Sequence, residues 1–191
     1  MDSIKVGFAM CGSFCTFSKA IESIENLINH GVEIVPIMSY NAYSTDTRFG
    51  RAEEHIEKIE NLCSRKIIRT LTGAEPIGPK KIIDALIIEP CTGNTLAKLA
   101  SGIADTPVTL SAKSNLRNSN PVIIAVSTND ALGNAAKNIG ALQNAKNIYF
   151  VPYGQDDPTN KPNSLVADFS MTYDTLIEAM NGRQIQPMIK Q

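Results

Sequence analysis

Residues 85–105 read ALIIEPCTGNTLAKLASGIAD, and this stretch decides the fold. The apolar run at 85–88 is too short for a buried helix and is typical of a buried parallel strand. We expect Pro90 to end that strand, because proline has no N–H to donate to a neighbouring strand. Apolar residues then recur at helical spacing, at Leu96, Leu99, Ala100 and Ile103. The stretch therefore predicts a strand, a small polar turn and a helix.

The turn between this strand and this helix carries small and hydroxyl-bearing side chains. In an open parallel sheet such a turn lies at the carboxyl edge of the strands, where ligands bind. The free N–H groups of the first helical turn and the positive end of the helix dipole favour an anion, most naturally a phosphate. We therefore predict a phosphate-binding loop formed by Thr92, Gly93, Asn94 and Thr95.

Strand and helix patterns alternate along the rest of the chain. The predicted strands cover residues 4–10, 33–38, 85–88, 121–126 and 148–151. The predicted helices cover residues 16–30, 52–63, 96–103, 109–120, 131–145 and 165–180, and polar loops cover residues 41–50, 66–81 and 153–164. We expect one domain over residues 1–191 with an α/β fold. Its architecture is a single doubly wound parallel sheet in a Rossmann-like or flavodoxin-like three-layer sandwich.

Four of the predicted strands end in residues with hydroxyl or amide side chains. These are Ser13, Ser39, the group at 92–95 and the group at 127–129. Right-handed crossovers place all four ends at one edge of a parallel sheet. A site built from them is rich in neutral hydrogen-bonding groups and poor in charge. It therefore suits a phosphorylated, largely planar cofactor better than a bare metal ion.

The composition excludes some classes of function. The formal net charge of −1 gives no electrostatic footprint for binding nucleic acid or an anionic membrane. No apolar run approaches the roughly 20 residues of a membrane-spanning helix. The N-terminal sequence MDSIKVGFAM lacks the basic flank and apolar core of a signal peptide. We therefore expect a cytoplasmic protein whose cysteines are reduced.

The four cysteines are Cys11, Cys15, Cys63 and Cys91. Two of them lie four residues apart and Cys91 follows a central strand, so a redox pair or contact with a cofactor is one interpretation. The other is that small buried thiols pack as apolar groups. The spacing does not supply the ligand set of a zinc site, and no metal is expected.

The chain has two histidines, His30 and His55. The first stands just before Gly31, a predicted helix C-cap, where an imidazole interacts with the last carbonyl groups. The second lies among glutamates on a charged helix and is expected to face solvent. A Ser-His-Asp hydrolase is therefore not expected.

Other charged residues leave alternatives open. Glu89 closes an apolar strand, so it is either the partner of a backbone amide or a cation, or an acid or base with a shifted pKa. Lys113 and Arg117 are either a binding pair for a dicarboxylate or an exposed helix end. Asp156 and Asp157 precede a proline and are expected to be turn residues rather than metal ligands.

Three motifs carry a resemblance to a known family. They are GSF at 12–14, the serine at position 39, and PCTGNTLAKLASGIAD at 90–105. Together they resemble the homo-oligomeric flavin-containing cysteine decarboxylases, a flavoprotein family that includes phosphopantothenoylcysteine decarboxylase, the lantibiotic decarboxylases and the flavin prenyltransferases. The family's usual form of the last motif is P-A-S-A-N-T or P-C-S-M-K-T, followed by a helix and G-I-A-D. The resemblance covers residues 4–180.

This resemblance implies FMN as the cofactor. By the resemblance, Gly12 and Ser13 would lie at the flavin, and Ser39 would contact it from the second strand. The loop at 92–95 would hold the phosphate and the ribityl chain. Thr128 stands near the position where the prenyltransferases place an arginine on the flavin phosphate. No residue is assigned a catalytic role.

The chain departs from the family at two places. Where the decarboxylases carry a histidine before the central strand, residues 75–80 read EPIGPK. Where the prenyltransferases carry a tyrosine, Thr159 stands before an Asn-Lys-Pro segment. Three interpretations therefore stay open: an FMN-binding oxidoreductase component, a stand-alone flavin-dependent decarboxylase or prenyltransferase, and a partner-binding component that has lost the flavin.

The first interpretation implies further partners. By resemblance, the chain acts on a small dicarboxylate together with a second polypeptide of the pyridine-nucleotide dehydrogenase type, which could carry NADP. The resemblance also implies a homo-oligomer, a trimer or a dodecamer, in the cytoplasm of the mother cell of a sporulating bacterium. No nucleic acid or membrane partner is expected.

Overall fold

The computed structural model describes residues 3–190. Its strands are β1 (Lys5–Met10), β2 (Glu33–Met38), β3 (Ala85–Cys91), β4 (Val122–Thr128), β5 (Ile148–Phe150), β6 (Tyr153–Gly154) and β7 (Leu165–Ala167). Its helices are α1 (Phe17–Asn29), α2 (Tyr40–Ser44), α3 (Ala52–Cys63), α4 (Leu71–Ala74), α5 (Gly93–Ala100), α6 (Pro107–Arg117), α7 (Ala136–Gln143) and α8 (Thr172–Met180). Short 3-10 turns are formed by Phe14–Thr16, Glu75–Ile77 and Phe169–Met171.

Five of the strands form a parallel sheet in the order β2-β1-β3-β4-β5. In the middle of this sheet, Gly7 of β1 is in register with Val35 of β2 and with Leu86 of β3. This is the flavodoxin-like strand order, in which the direction of winding reverses between β1 and β3. The α/β fold class predicted from the sequence is therefore confirmed. The reversal separates the loops after β1 and β3 and leaves a crevice at the carboxyl edge.

Helices cover both faces of the sheet. Helices α1 and α8 contact each other and the sheet, whereas α5, α6 and α7 form a second group of helices against it. Because both faces are covered, the central strands are apolar along their length. Residues 85–88 of β3 and 122–126 of β4 have no exposed surface.

The sheet continues past β4 as a small antiparallel hairpin that the sequence pattern does not predict. Strand β7 pairs antiparallel with Ser127 and Thr128 at the end of β4, and β6 pairs with β7. The predicted helix over 165–180 is therefore wrong in its first turns, and α8 begins only at Thr172. Strands of two or three residues are too short to show an alternating pattern, so the pairing with β4 decides their structure.

Two predictions in the central motif are also wrong. Strand β3 does not end at Pro90 but continues to Cys91. Its pairing with β4 shifts register just before Cys91, and such an irregularity accommodates a residue that has no N–H. The following helix does not reach Ile103, because α5 ends at Ala100 and Gly102 adopts a φ of +69°. The side chain of Ile103 is consequently exposed.

The other differences are small. Helix α7 is shorter than the predicted span 131–145, and the short helices α2 and α4 lie in regions predicted as polar loops. Helix α3 has the predicted bounds. Within residues 3–190, no helix combines the length and the apolar character needed to cross a membrane.

Candidate functional site

Two cavities lie at the carboxyl edge of the sheet, where the loops after β1, β2, β3 and β4 meet. The Ser39 cavity has a volume of about 330 Å³ and is lined by Cys11, Gly12, Ser39, Tyr40, Asn41, Thr92, Asn94, Thr95, Lys98 and Thr106. The Ser127 cavity has a volume of about 410 Å³ and is lined by Gly12, Ser13, Cys15, Thr16, Lys19, Thr92, Ser127, Thr128, Asn129, Asp156, Lys161 and Val166. Gly12 and Thr92 line both, so the two cavities adjoin.

Seven of the eight predicted binding residues line these two cavities. They are Gly12, Ser13, Ser39, Thr92, Asn94, Thr95 and Thr128. The eighth, Gly93, lies beside them, because a Cβ on Gly93 would stand 3.0 Å from Thr128 Oγ1. The fold thus brings all eight residues to one place, and their role in binding a cofactor stays a prediction. A third, mostly apolar cavity of about 420 Å³, bordered by Leu132 and Ile139, contains none of them.

The loop after β3 folds so that a helix begins inside the site. Thr92 has an extended backbone, and its carbonyl accepts the first helical hydrogen bond from the N–H of Leu96 at 2.9 Å. The N–H groups of Gly93, Asn94 and Thr95 therefore have no acceptor within the helix. These N–H groups lie next to the Ser39 cavity and, together with the positive end of the helix dipole, would favour an anion there.

A chain of hydroxyl groups links this loop to β1. Thr92 Oγ1 donates to Thr95 Oγ1 at 3.3 Å, and Thr95 Oγ1 donates to Cys11 Sγ at 3.2 Å. Burial raises the pKa of the Cys11 thiol to about 11, although the hydrogen bonds from Thr95 and from the backbone of Thr92 oppose this. The thiol is therefore protonated at neutral pH and is not a nucleophilic thiolate.

The other cysteines give no sign of redox pairing. All four are free thiols in the structure. Burial raises the pKa of Cys91 well above its usual range, with a further contribution from the neighbouring Cys11. Two buried, protonated thiols, one just after β1 and one at the end of β3, favour the interpretation that Cys11 and Cys91 pack as small apolar groups.

A serine pair forms part of the wall of the Ser127 cavity. Ser13 Oγ and Ser127 Oγ lie 2.8 Å apart and share a hydrogen bond. Ser127 is almost completely buried, because it pairs with Val166 of β7 at the end of β4. The adjacent Thr128 Oγ1 accepts a hydrogen bond from the N–H of Asp130 at 3.4 Å. The loop after β1 and the end of β4 are thereby joined across the wall of one cavity.

The site carries more charge than the sequence predicts. Lys98 lines the Ser39 cavity and pairs with Asp105 at 2.7 Å. Lys19 and Lys161 line the Ser127 cavity. The prediction of a site poor in charge is therefore wrong. From sequence alone, a lysine in a helix or a polar loop is expected to face solvent, and nothing in the local pattern indicates that it lines a cavity. The sequence does carry one indication for Lys98: it follows Asn94 by four residues and so lies on the same face of α5 as that predicted site residue.

Among the described residues, neither histidine lines the two cavities. His30 has its Nδ1 2.8 Å from the carbonyl of Asn26 at the end of α1, and its ring stacks on Tyr173, so the predicted structural role is confirmed. The prediction that His55 faces solvent is wrong. Its ring packs edge-on against Phe17 with centroids 5.2 Å apart, and its Nε2 is buried without a hydrogen-bond partner within residues 3–190.

Glu89 lies in β3 and has no exposed surface. Thr172 Oγ1 donates to its Oε2 at 2.6 Å, and its Oε1 has no partner in the described part of the chain. Burial raises the pKa of Glu89 to about 8. The hydrogen bond from Thr172 opposes this rise, and the nearby Ser23 hydroxyl, which makes no hydrogen bond within residues 3–190, opposes it more weakly. Glu89 is therefore a neutral acid at neutral pH, and it lines neither cavity.

The two basic residues near the end of α6 lie away from the site. Lys113 borders a separate cavity of about 240 Å³ together with Leu99 and Ile103. Arg117 lies beside Gly78, where a Cβ would be 2.7 Å from its Nη2. Of the two interpretations of this pair, the structure favours the exposed helix end.

The acidic residues after β6 are turn residues, as predicted. Asp157 accepts hydrogen bonds from the backbone N–H and the side-chain amide of Asn160, both at 3.1 Å. Asp156 pairs with Lys161 at 3.3 Å. Over residues 3–190, no group of three or more histidine, cysteine, aspartate or glutamate side chains could hold a metal ion.

Comparison with known proteins gives the family. The family model described as flavoprotein matches residues 1–181. The chain belongs to the flavoprotein family. The resemblance carried by the GSF and PCTGNT motifs is thereby confirmed.

This flavoprotein is 43% identical over 192 residues to the B subunit of dipicolinate synthase from Bacillus subtilis (strain 168), a match that covers 99% of the chain and 96% of that relative. The crystal structure of the dipicolinate synthase B subunit from Bacillus halodurans C has a TM-score of 0.91 and 41% identity, and the match covers 100% of this flavoprotein and 99% of that chain. The FMN-dependent cysteine decarboxylase SpaF shares the fold, with a TM-score of 0.66, 24% identity and coverage of 92% and 97%.

Proposed function

We propose that this flavoprotein is the FMN-binding component of a dipicolinate synthase. It acts with the A subunit of that synthase to convert dihydrodipicolinate, or its hydroxy-tetrahydro precursor, to dipicolinate. Similarity to the B subunit of dipicolinate synthase over nearly the whole of both chains supports the assignment. The structural observation that carries it is the pair of adjoining cavities that share Gly12 and Thr92. One cavity offers space for a phosphorylated cofactor, and the other offers space for a small ring.

The residues of the Ser39 cavity fit the phosphate and ribityl groups of FMN. The free N–H groups at the start of α5 suit a phosphate. The hydroxyls of Ser39, Thr92 and Thr95 and the amide of Asn94 suit a polyol chain. Lys98 adds a cation on the same wall. When bound, FMN supplies a two-electron acceptor.

In the Ser127 cavity, Gly12 and Ser13 would contact the flavin ring, and the other side chains would bind and orient the substrate ring beside it. Oxidation of a dihydropyridine ring to a pyridine removes two electrons and two protons. Bound FMN would supply the acceptor for these two electrons and two protons, and a pyridine nucleotide, NADP, held by the A subunit would be the final electron acceptor, with one proton released to solvent. The hydroxy-tetrahydro precursor would first lose water to give the dihydro ring. The protonated Cys11 thiol cannot accept a proton at neutral pH. We assign binding roles to the hydroxyls of Ser13, Ser127 and Thr128, and we name no catalytic residue.

The test of the proposal is a visible absorption spectrum of the purified chain after FMN has been added and excess cofactor removed by dialysis. We expect a retained flavin band. The variant in which Asn94→Ala and Thr95→Ala are combined should lose the band. The control Asn134→Ala changes an exposed asparagine that lines neither cavity and should retain it. A wild-type chain that retains no flavin would contradict the proposal.

A second candidate is a partner-binding component that has lost the flavin. It is favoured by Thr128, which stands near the position where the resemblance places an arginine on the flavin phosphate. This candidate predicts association with the A subunit without flavin retention. A stand-alone decarboxylase or prenyltransferase has less support, because no histidine is present among the described lining residues.

Assembly of this chain into a trimer or dodecamer stays a prediction, which light scattering on the purified chain would test.

A further inference from the structure

We infer that Lys19 and Lys161 bind the two carboxylates of a small ring dicarboxylate in the Ser127 cavity. The inference rests on the proposed function, and it names the residues that recognise the two carboxylates of that substrate. The two lysines come from different elements, since Lys19 lies in the first turn of α1 and Lys161 in the loop between β6 and β7. Both line the same cavity.

Lys19 carries a cation that no carboxylate of the described residues neutralises. Its amine lies within 4.0 Å of no acidic side chain among residues 3–190. The side chain stands between the Ser127 cavity and a polar surface cavity bordered by Glu22 and Asp168. Asp168 already pairs with Lys190. The amine is therefore available to a carboxylate entering the Ser127 cavity.

Lys161 is held at the cavity by its own loop. Its backbone N–H donates to the carbonyl of Asp157 at 2.8 Å, and its carbonyl accepts from the N–H of Ser164 at 3.0 Å. Its amine pairs with Asp156 at 3.3 Å, and 49% of its side chain is exposed. The backbone position is fixed while the ammonium group stays accessible, so it can contact a ligand and Asp156 together.

The charge of the cavity selects an anion. Two ammonium groups and one carboxylate, that of Asp156, border it, and its other polar side chains are neutral hydroxyls, a thiol and an amide. A volume of about 410 Å³ accommodates a six-membered ring with two carboxylates. Two amines on separate elements suit two separated carboxylates, whereas the clustered N–H groups at the start of α5 suit one phosphate.

The experiment is isothermal titration of the full chain, loaded with FMN, with pyridine-2,6-dicarboxylate and with pyridine-2-carboxylate. We expect Lys19→Gln and Lys161→Gln each to weaken dicarboxylate binding about tenfold, the effect of losing one charge-assisted hydrogen bond. The combined variant should bind the dicarboxylate no better than the wild type binds the monocarboxylate. Lys113→Gln, which removes a lysine outside the cavity, is the matched control and should bind like the wild type.

Flavin binding, followed separately by quenching of FMN fluorescence, distinguishes this inference from the proposed function. Each lysine variant should bind FMN within twofold of the wild type. The inference is overturned if the wild type binds no dicarboxylate at millimolar concentration, or if the combined variant binds it unchanged. If the wild type binds no FMN, the proposed function fails, and the same titration of the flavin-free chain still decides the role of the two lysines.

Discussion

Glu89 is a carboxyl group whose protonation is set by burial. Its hydrogen bond from Thr172 leaves one carboxyl oxygen without a partner in the described part of the chain. The pKa of Glu89 rises from the ordinary value of 4.5 to about 8 in the folded protein. Between these two values the unfolded chain releases the proton and the folded chain keeps it. The free energy of unfolding therefore falls as pH rises through this window and levels off above the folded pKa.

We expect Glu89→Gln to remove this pH dependence, because glutamine accepts the Thr172 hydrogen bond and does not titrate. The variant and the wild type should unfold alike near pH 5. Toward pH 8 the variant should become the more stable by up to about 1.4 kcal/mol per pH unit. Urea unfolding at pH 5, 6.5 and 8 measures the difference, with the exposed Glu22→Gln as control. Parallel stability curves for Glu89→Gln and the wild type would show that this carboxyl is already ionised in the folded state.

At the scale of single elements, two helical glycines have different surroundings. Gly93 is the first residue of α5, and a Cβ there would lie 3.0 Å from Thr128 Oγ1. Gly140 lies inside α7, and a Cβ there would have no neighbour within 4 Å. Neither glycine has a positive φ, so the backbone accepts alanine at both positions. The comparison therefore isolates the effect of crowding between the loop after β3 and the end of β4.

Gly140→Ala should raise the free energy of unfolding by about 0.5–1 kcal/mol, because alanine is the better helix former. Gly93→Ala should give no such gain, since the new methyl group must displace the Thr128 side chain. If the proposed function holds, it should also weaken FMN retention, which Gly140→Ala should leave unchanged. Urea unfolding and dialysis against FMN measure the two effects. Equal stabilisation by both substitutions, with unchanged retention, would argue against close contact between the two loops.

The elements that the sequence predicts well are those with a long periodic apolar face. Helix α1 and strands β1 and β2 lie close to their predicted bounds, and α3 has the predicted bounds. Each buries one face or is buried throughout, so local pattern and tertiary structure agree. Strands β6 and β7 escape prediction because two or three residues show no period. The residues of β7 follow the pairing that Ser127 and Thr128 offer, rather than the helical pattern of their own segment.

At the scale of the whole molecule, topology explains how far the site can be predicted. Hydroxyl and amide residues at the ends of parallel strands lie together whenever the crossovers are right-handed, so Ser13, Ser39 and the loop at 92–95 can be grouped from the sequence. Lys19 and Lys161 cannot be assigned to this group of residues from the sequence. One belongs to a helix and the other to a loop distant in the chain, and no local pattern relates them.

Hydrogen exchange with and without FMN would test the site across the molecule. We expect FMN to slow exchange together in four separate segments, at residues 11–13, 39–41, 92–95 and 127–129. Amides around Leu132, in the third, mostly apolar cavity, should exchange at unchanged rates. The combined Asn94→Ala and Thr95→Ala variant should show no response to FMN. Protection confined to a single segment, or centred on Leu132, would place the ligand elsewhere.

The hydrogen bond between Ser13 and Ser127 can run in either direction, since each hydroxyl can be the donor. When Ser13 donates, the proton of Ser127 is free to point at a ligand, and when Ser127 donates, that of Ser13 is free. The pair exchanges these two arrangements by rotating two O–H bonds, with every heavy atom in place. A ligand atom that changes from hydrogen-bond donor to acceptor as its ring becomes aromatic can therefore be matched on both sides of the reaction without any movement of the backbone.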